Sequence, residues 1–243
     1  MSHHLFPVPC SLFPVPYPGR WTLDAGRSLR PCYTPHVDVR RRLLVSLLLS
    51  IASVPLTAGT QPVLVCFGDS ITAGYGVPDG KAYPDFLQQK LNEDGYRYAV
   101  LNRGTSGATT KDAVASLPSI LALRPEIVVV EFGGNDGLRG LPIEQTRRNL
   151  ETVITTLQNA HIKVLVAGIT LPPNYGSDYI RSFDAIFRDL AAEHKTAVVP
   201  MLYKDLIHLP GAIQDDGIHP TAKGAQIIAN TLYPALRPLL KKQ

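Results

Sequence analysis

Cysteine is scarce in this 243-residue chain: of three, Cys10 and Cys32 precede residue 60 and only Cys66 follows it. No disulfide framework is therefore available to the body of the protein. Cys66 sits in the apolar run Val63-Leu64-Val65-Cys66-Phe67 and reads as a small core residue, not a reactive thiol. Surplus charge is also missing from the body. Six arginines against Asp24 and Asp38 before residue 60 account for the whole net charge of +4, leaving 18 basic and 18 acidic residues after it. A body balanced in this way has no electrostatic footprint for nucleic acid, whatever the overall pI. No apolar run reaches the roughly 20 residues that a bilayer-spanning helix requires. Gly74 and Gly76 resemble part of a phosphate loop, but the full Gly-x-x-x-x-Gly-Lys pattern is absent, so no nucleotide cofactor is implied. No His, Cys, Asp and Glu residues stand at metal-ligand spacing, so neither a metal nor any other cofactor is indicated.

The first 58 residues read as two segments. Residues 1–38 hold seven prolines and a repeated Leu-Phe-Pro-Val-Pro at 5–9 and 12–16, with no helix or strand period, a composition that predicts disorder. Residues 39–58 then run from Arg40-Arg41-Arg42 through twelve mainly apolar residues, Leu43 to Val54, to the small residues before Gly59. Basic, apolar and small-residue regions in that order make a signal peptide, with cleavage expected after Ala58. A retained anchor or a short core helix is the competing reading. Because an export signal starts close to its basic region, the expectation is that translation begins near Val39 and that residues 1–38 are an artefact of start-codon choice. The product is then exported, to a periplasm or the medium, with no stable membrane insertion of the mature domain.

Residues 60–243 form the remaining domain, and 45% hydrophobic content over the chain suffices for a sizeable core. Short β-branched runs alternate with longer amphipathic stretches. Strands are expected at Val63–Phe67, Tyr98–Leu101, Ile127–Phe132, Val164–Gly168 and Ala197–Val199. Helices are expected at Ala82–Glu93, Thr110–Leu121, Ile143–Asn159, Ser182–His194 and Thr221–Arg237. Continuously apolar strands separated by helices predict a five-stranded parallel sheet covered on both faces, a three-layer α/β/α sandwich. Ligands of such sheets bind beyond the carboxyl ends of the strands.

Unusual residues gather at those ends. Strand one leads into Gly68-Asp69-Ser70, strand two into Gly104-Thr105-Ser106-Gly107-Ala108, and strand three into Gly133-Gly134-Asn135-Asp136-Gly137. Asp215-Asp216-Gly217-Ile218-His219-Pro220 precedes the last helix. A serine hydroxyl needs a base within hydrogen-bond reach and donors aimed at the charge that develops on the attacked carbonyl. Ser70 on a tight turn, His219 as base and Asp216 three residues before it supply the first two requirements. No Gly-x-Ser-x-Gly surrounds Ser70, so the nucleophile elbow of the α/β-hydrolases is excluded.

These four blocks resemble the SGNH (GDSL) hydrolases, most closely the bacterial arylesterase, acyl-CoA thioesterase I and lysophospholipase L1 group, over residues 62–238. The resemblance implies a flavodoxin-like sheet of order 2-1-3-4-5. It implies Ser70 as nucleophile, His219 as general base and acid, and Asp216 as its orienting partner. It implies an oxyanion hole from the Ser70 and Gly107 N–H groups and the Asn135 amide. The activity implied is hydrolysis of acyl and aryl esters and thioesters, lysophospholipids among them, through an acyl-enzyme on Ser70. Arg103 and Ala108 depart from the usual second block without displacing Gly107.

Leu138, Leu141, Pro142, Leu171, Pro172, Pro173, Tyr175 and Tyr179 fall after strands three and four, and they are expected on loops at the active-site rim as an apolar acyl groove. The competing reading packs them beneath their own loops. A carbohydrate O-acetylesterase would share every catalytic residue and differ only at this rim. A silent lipid- or glycan-binding domain would be expected to lack Ser70, Asn135 or His219, all of which are present.

Overall fold

The computed structural model describes residues 61–242. The proline-rich segment 1–38, expected to be disordered, and the expected signal peptide 39–58 lie outside the described residues. Five strands form one parallel sheet: β1 (Val63–Gly68), β2 (Ala99–Gly104), β3 (Ile127–Glu131), β4 (Lys163–Ala167) and β5 (Ala197–Val199). Their order is β2-β1-β3-β4-β5, as the resemblance implies. Position in the sheet accounts for composition. The central β3 is buried at all five positions and reads Ile-Val-Val-Val-Glu, whereas the edge strand β2 is only part-buried and carries Asn102 and Arg103.

Helices α1 (Ser70–Ala73), α2 (Tyr83–Glu93), α3 (Thr110–Ala122), α4 (Gly134–Leu138), α5 (Ile143–Asn159), α6 (Ser177–Glu193) and α7 (Ala222–Leu236) link and follow the strands. The α2 and α7 helices pack together as one layer, and α3, α5 and α6 as the other. Helix starts follow local chemistry. Asp85 accepts from the Ala82 N–H at 2.9 Å, Asp112 accepts from the Thr109 N–H and hydroxyl at 2.8 and 2.7 Å, and Thr221 Oγ1 accepts from the Gly224 N–H. Apolar stripes then dock each helix: Leu150, Val153, Ile154 and Leu157 of α5 are buried. Cys66 is buried as expected, and burial pushes its thiol up to about 12, which leaves no thiolate at neutral pH.

Three departures from the sequence pattern matter for the site. Helix α6 begins at Ser177, not Ser182, and so takes Tyr179 out of the loop in which it was expected. Its first turn follows Gly176 without a side-chain cap, so Asp178 is the one start signal in it. Strand β2 continues to Gly104 because its ladder with β1 runs on to the pair Gly68–Gly104. The short helices α1 and α4 have no periodic pattern to reveal them.

The end of β2 lies hard against α1. A methyl group on Gly104 would come within 2.1 Å of the Ala73 amide nitrogen and 2.6 Å of its Cα. Backbone cannot yield as a flexible side chain can. Gly104→Ala is therefore expected to destabilise the protein by roughly 1–3 kcal/mol, read as a lower urea midpoint at unchanged slope.

Candidate active site

Ser70 opens α1 directly after β1. Asp69 caps that helix, its Oδ1 accepting from the Ile71 N–H at 3.0 Å, so the serine is presented at the first helical position. The turn closes after four residues at Gly74, whose φ of +83° suits glycine, and the Gly74 and Tyr75 N–H groups both donate to the Ser70 carbonyl.

His219 and Asp216, the candidate base and its partner, come from one tight turn. Asp216 Oδ1 accepts from the N–H groups of Ile218 and His219, both at 2.9 Å, and its Oδ2 accepts from His219 Nδ1 at 2.6 Å. This is why a spacing of three suffices: the carboxylate that closes the turn is the one that meets the ring. Partial burial raises the Asp216 carboxyl, but the His219 and Ile218 N–H groups and the imidazole together hold it at about 2, so it stays anionic. The other imidazole nitrogen, Nε2, lies 2.9 Å from Ser70 Oγ. Tyr203 donates to the Ile218 carbonyl at 2.7 Å, and Gln214 ties the turn to Tyr75 and Pro220. Asp215 is exposed beside this turn and joins no part of it.

The residues expected to supply oxyanion donors can be placed as well. Among the described residues, the N–H groups of Ser70 and Gly107 have no intramolecular acceptor. Gly107 has φ +79°, and the Arg139 guanidinium donates to its carbonyl at 2.9 Å, which fixes that peptide. The Asn135 amide nitrogen donates to the Ala108 carbonyl at 3.0 Å and to Asp69 Oδ2 at 3.2 Å. Asp136 faces inward, accepting from the Thr110 N–H and hydroxyl at 2.9 and 2.6 Å, and so pins α4 to the start of α3. Sequence reasoning singled out neither Arg139 nor this use of Asp136.

It also passed over Glu131, a charged residue in the otherwise apolar run Ile127–Phe132, which was the available signal. Glu131 is wholly buried beneath the nucleophile turn. Its Oε2 accepts from the Thr72 hydroxyl at 2.8 Å and from the Asp69 N–H at 3.3 Å, while Oε1 has no hydrogen-bond partner. Burial, and then the adjacent Asp69 charge, push its carboxyl well above the usual range. Asp69 is raised by burial as well, but it also receives N–H donors from Ile71 and Asn135. With fewer donors, Glu131 is the carboxyl of the pair whose charged form is disfavoured more.

At the rim the expected residues divide. Leu141 and Pro142 are exposed, and Leu138 and Tyr175 part-buried. The Tyr175 hydroxyl donates to the Leu138 carbonyl at 2.7 Å and the Tyr179 hydroxyl to the Leu141 carbonyl at 3.3 Å. Leu171, at 4% exposure, is not on the rim: it packs beside Gly137, where a methyl group would meet its Cδ atoms. Tyr179 lies on α6, and Leu138 ends α4, so neither stands on a loop. A cavity of about 540 Å³ between β5 and α7, lined by residues such as Val199, Met201 and Ile227, contains none of these groups. Glu151, in the middle of α5, meets Glu193 and His194 at the C-terminal end of α6, with ligand-type atoms within 4.8 Å of one another. Arg147 pairs with both glutamates there.

The buried carboxyl leads to a stability test. In the unfolded chain Glu131 titrates near the ordinary 4.5, and in the folded protein far higher, so between the two values the unfolded state binds fewer protons. Its contribution therefore makes stability fall as pH rises. Glu131→Gln, which keeps the shape and cannot ionise, is expected to gain on the parent between about pH 5 and about pH 8 in urea unfolding. Equal differences at both pH values would contradict a protonated Glu131.

Comparison with known proteins agrees with this geometry. Residues 66–227 match the model of the GDSL-like lipase/acylhydrolase family. Esterase TesA of Pseudomonas aeruginosa is 39% identical over 201 residues, covering 82% of this chain and all of that protein. Thioesterase 1/protease 1/lysophospholipase L1 of Escherichia coli is 34% identical over 193 residues, 79% of this chain and 91% of that one. A crystal structure of TesA superposes with a TM-score of 0.71 at 40% identity, over 73% of this chain and 99% of that chain. The chain thus belongs to the GDSL-like lipase/acylhydrolase family and is an SGNH-type serine hydrolase of carboxylic esters.

Proposed function

We propose that the protein hydrolyses acyl and aryl esters and thioesters of small to medium chain length through an acyl-enzyme on Ser70. The observation that carries this reading is the continuous hydrogen-bond relay Asp216–His219–Ser70 beside two N–H groups with no acceptor of their own. His219 Nε2 takes the Ser70 proton as Oγ attacks the carbonyl carbon, and the Asp216 anion stabilises the imidazolium. The negative charge on the former carbonyl oxygen is met by the Ser70 and Gly107 N–H groups and by Asn135 Nδ2, where it replaces the longer of that nitrogen's two contacts, the one to Asp69. Collapse expels alcohol or thiol with the proton from His219. Water, deprotonated by the same imidazole, then releases the acid.

Leu138, Leu141, Pro142 and Tyr175 are assigned to an acyl-binding rim, with Leu171 as packing beneath it; the exposure of Leu141, 37%, supports an apolar surface there. Residues 39–58 are assigned to an export signal and 60–243 to the hydrolase domain, so the working enzyme is periplasmic or secreted. Among the described residues no helix is long and apolar enough to cross a membrane.

Hydrolysis of p-nitrophenyl acetate, butyrate, octanoate and palmitate tests the reading. Ser70→Ala is expected to abolish turnover, and Asn135→Ala to lower kcat by roughly 10²- to 10³-fold while both proteins stay folded. An optimum at butyrate or octanoate supports the acyl rim, whereas activity confined to acetyl esters moves the assignment to carbohydrate O-acetyl groups. N-terminal sequencing of the exported protein is expected to begin at Gly59.

A further inference from the structure

Among the described residues Tyr75 is the most exposed of the large apolar side chains, with 54% of its surface open, yet it is held at the centre of the site. Its ring lies on the His219 imidazole, centroids 4.6 Å apart and planes tilted by 42°. Its backbone is fixed from both sides. The Tyr75 N–H donates to the Ser70 carbonyl at 3.0 Å, and its carbonyl accepts from Gln214 Nε2 at 2.8 Å, the side chain that also binds Pro220. Gly74 and Gly76 flank it in left-handed conformations, φ +83° and +75°, and a methyl group on Gly76 would strike the Gln214 amide at 2.4 Å. Among the described residues its hydroxyl makes no hydrogen bond. An aromatic ring is thus anchored to both the nucleophile turn and the base turn while much of it stays bare, where a solvated surface favours a polar residue.

We propose that Tyr75 determines leaving-group specificity, its ring serving as the platform on which the planar aromatic part of an aryl ester or aryl thioester lies while the acyl-enzyme forms. The inference rests on the Ser70 mechanism above and adds a position for the group that departs. In that step the Ser70 Oγ–carbonyl carbon bond forms and the bond from that carbon to the leaving oxygen or sulfur breaks. The Ser70 proton passes through His219 Nε2 to the departing atom, with no change of oxidation state. Proton delivery requires that atom to come within hydrogen-bond reach of Nε2. Whatever it carries then lies alongside the imidazole that Tyr75 covers. A flat ring there gains offset or edge contact with the tyrosine, and a short alkyl group gains little.

The test uses the full-length protein with phenyl, 2-naphthyl and ethyl acetate, which share one acyl-enzyme and differ only in what leaves. Tyr75→Ala is expected to lower kcat/KM for the two aryl esters by roughly 3- to 10-fold more than for ethyl acetate, and Tyr75→Phe to restore it. Breakdown of the acetyl-enzyme in a single turnover is expected to change less than about twofold, since the leaving group has gone by then. Equal losses on all three esters, or slowed deacylation, would overturn the proposal and make Tyr75 a support for His219 alone. Circular dichroism of Tyr75→Ala separates either outcome from misfolding. A parent enzyme without Ser70-dependent hydrolysis of any ester would instead refute the underlying mechanism.

Discussion

The site hangs from one crowded place, the end of β1, where Gly68 pairs with Gly104 on one side and Glu131 on the other. A methyl group on Gly68 would fall 2.0 Å from Thr72 Oγ1 and 2.6 Å from Glu131 Oε2. Two glycines facing each other across the ladder let α1 sit directly on the strand ends, and Thr72 and Asp69 can then reach the buried carboxyl. Asn102 completes the seat, its amide donating to the Thr72 carbonyl and its oxygen accepting from the Gly104 N–H. With α1 placed, the direction of Ser70 follows.

Carboxyl groups in this site do opposite work according to their surroundings. Asp216, its side chain 38% exposed, gathers three N–H donors and remains an anion that steadies the imidazole. Glu131, with no exposure and few donors, is pushed towards its neutral form and serves as buried scaffolding under the turn. Asp69 stands between them in character: it caps α1 and holds the Asn135 amide. One functional group, the carboxyl, thus acts as electrostatic partner, helix cap and buried spacer, because burial and donor count set how strongly its charged form is favoured.

The doubly wound order explains why the functional groups meet. β1 lies between β2 and β3, so the loops after all three open at one end of the sheet: Ser70 follows β1, Gly107 follows β2 and Asn135 follows β3. His219 arrives from 149 residues away in sequence, carried by the segment before α7, and Gln214 stitches that segment to Tyr75. The Ser70 turn and the His219 turn are tied together by the Gln214 side-chain amide, which donates to the Tyr75 and Pro220 carbonyls.

The sequence alone carried the alternation of strands and helices, the parallel sheet, and the candidacy of Ser70, Asp216 and His219, because apolar period and local spacing are properties of neighbouring residues. The Asp-Gly-Ile-His spacing is self-sufficient: one turn satisfies it without tertiary help. Strand order came from family likeness, and it lay beyond what periodicity can express. Helix α1, helix α4 and the first turn of α6 were hidden, since short or uncapped helices owe their existence to what they pack on. The partners of Asn135, the hold of Arg139 on Gly107, the burial of Glu131 and Leu171 and the placing of Tyr75 on His219 were decided only by the tertiary structure. Each depends on which distant segments the sheet brings within a few ångströms, and on the water that this contact removes.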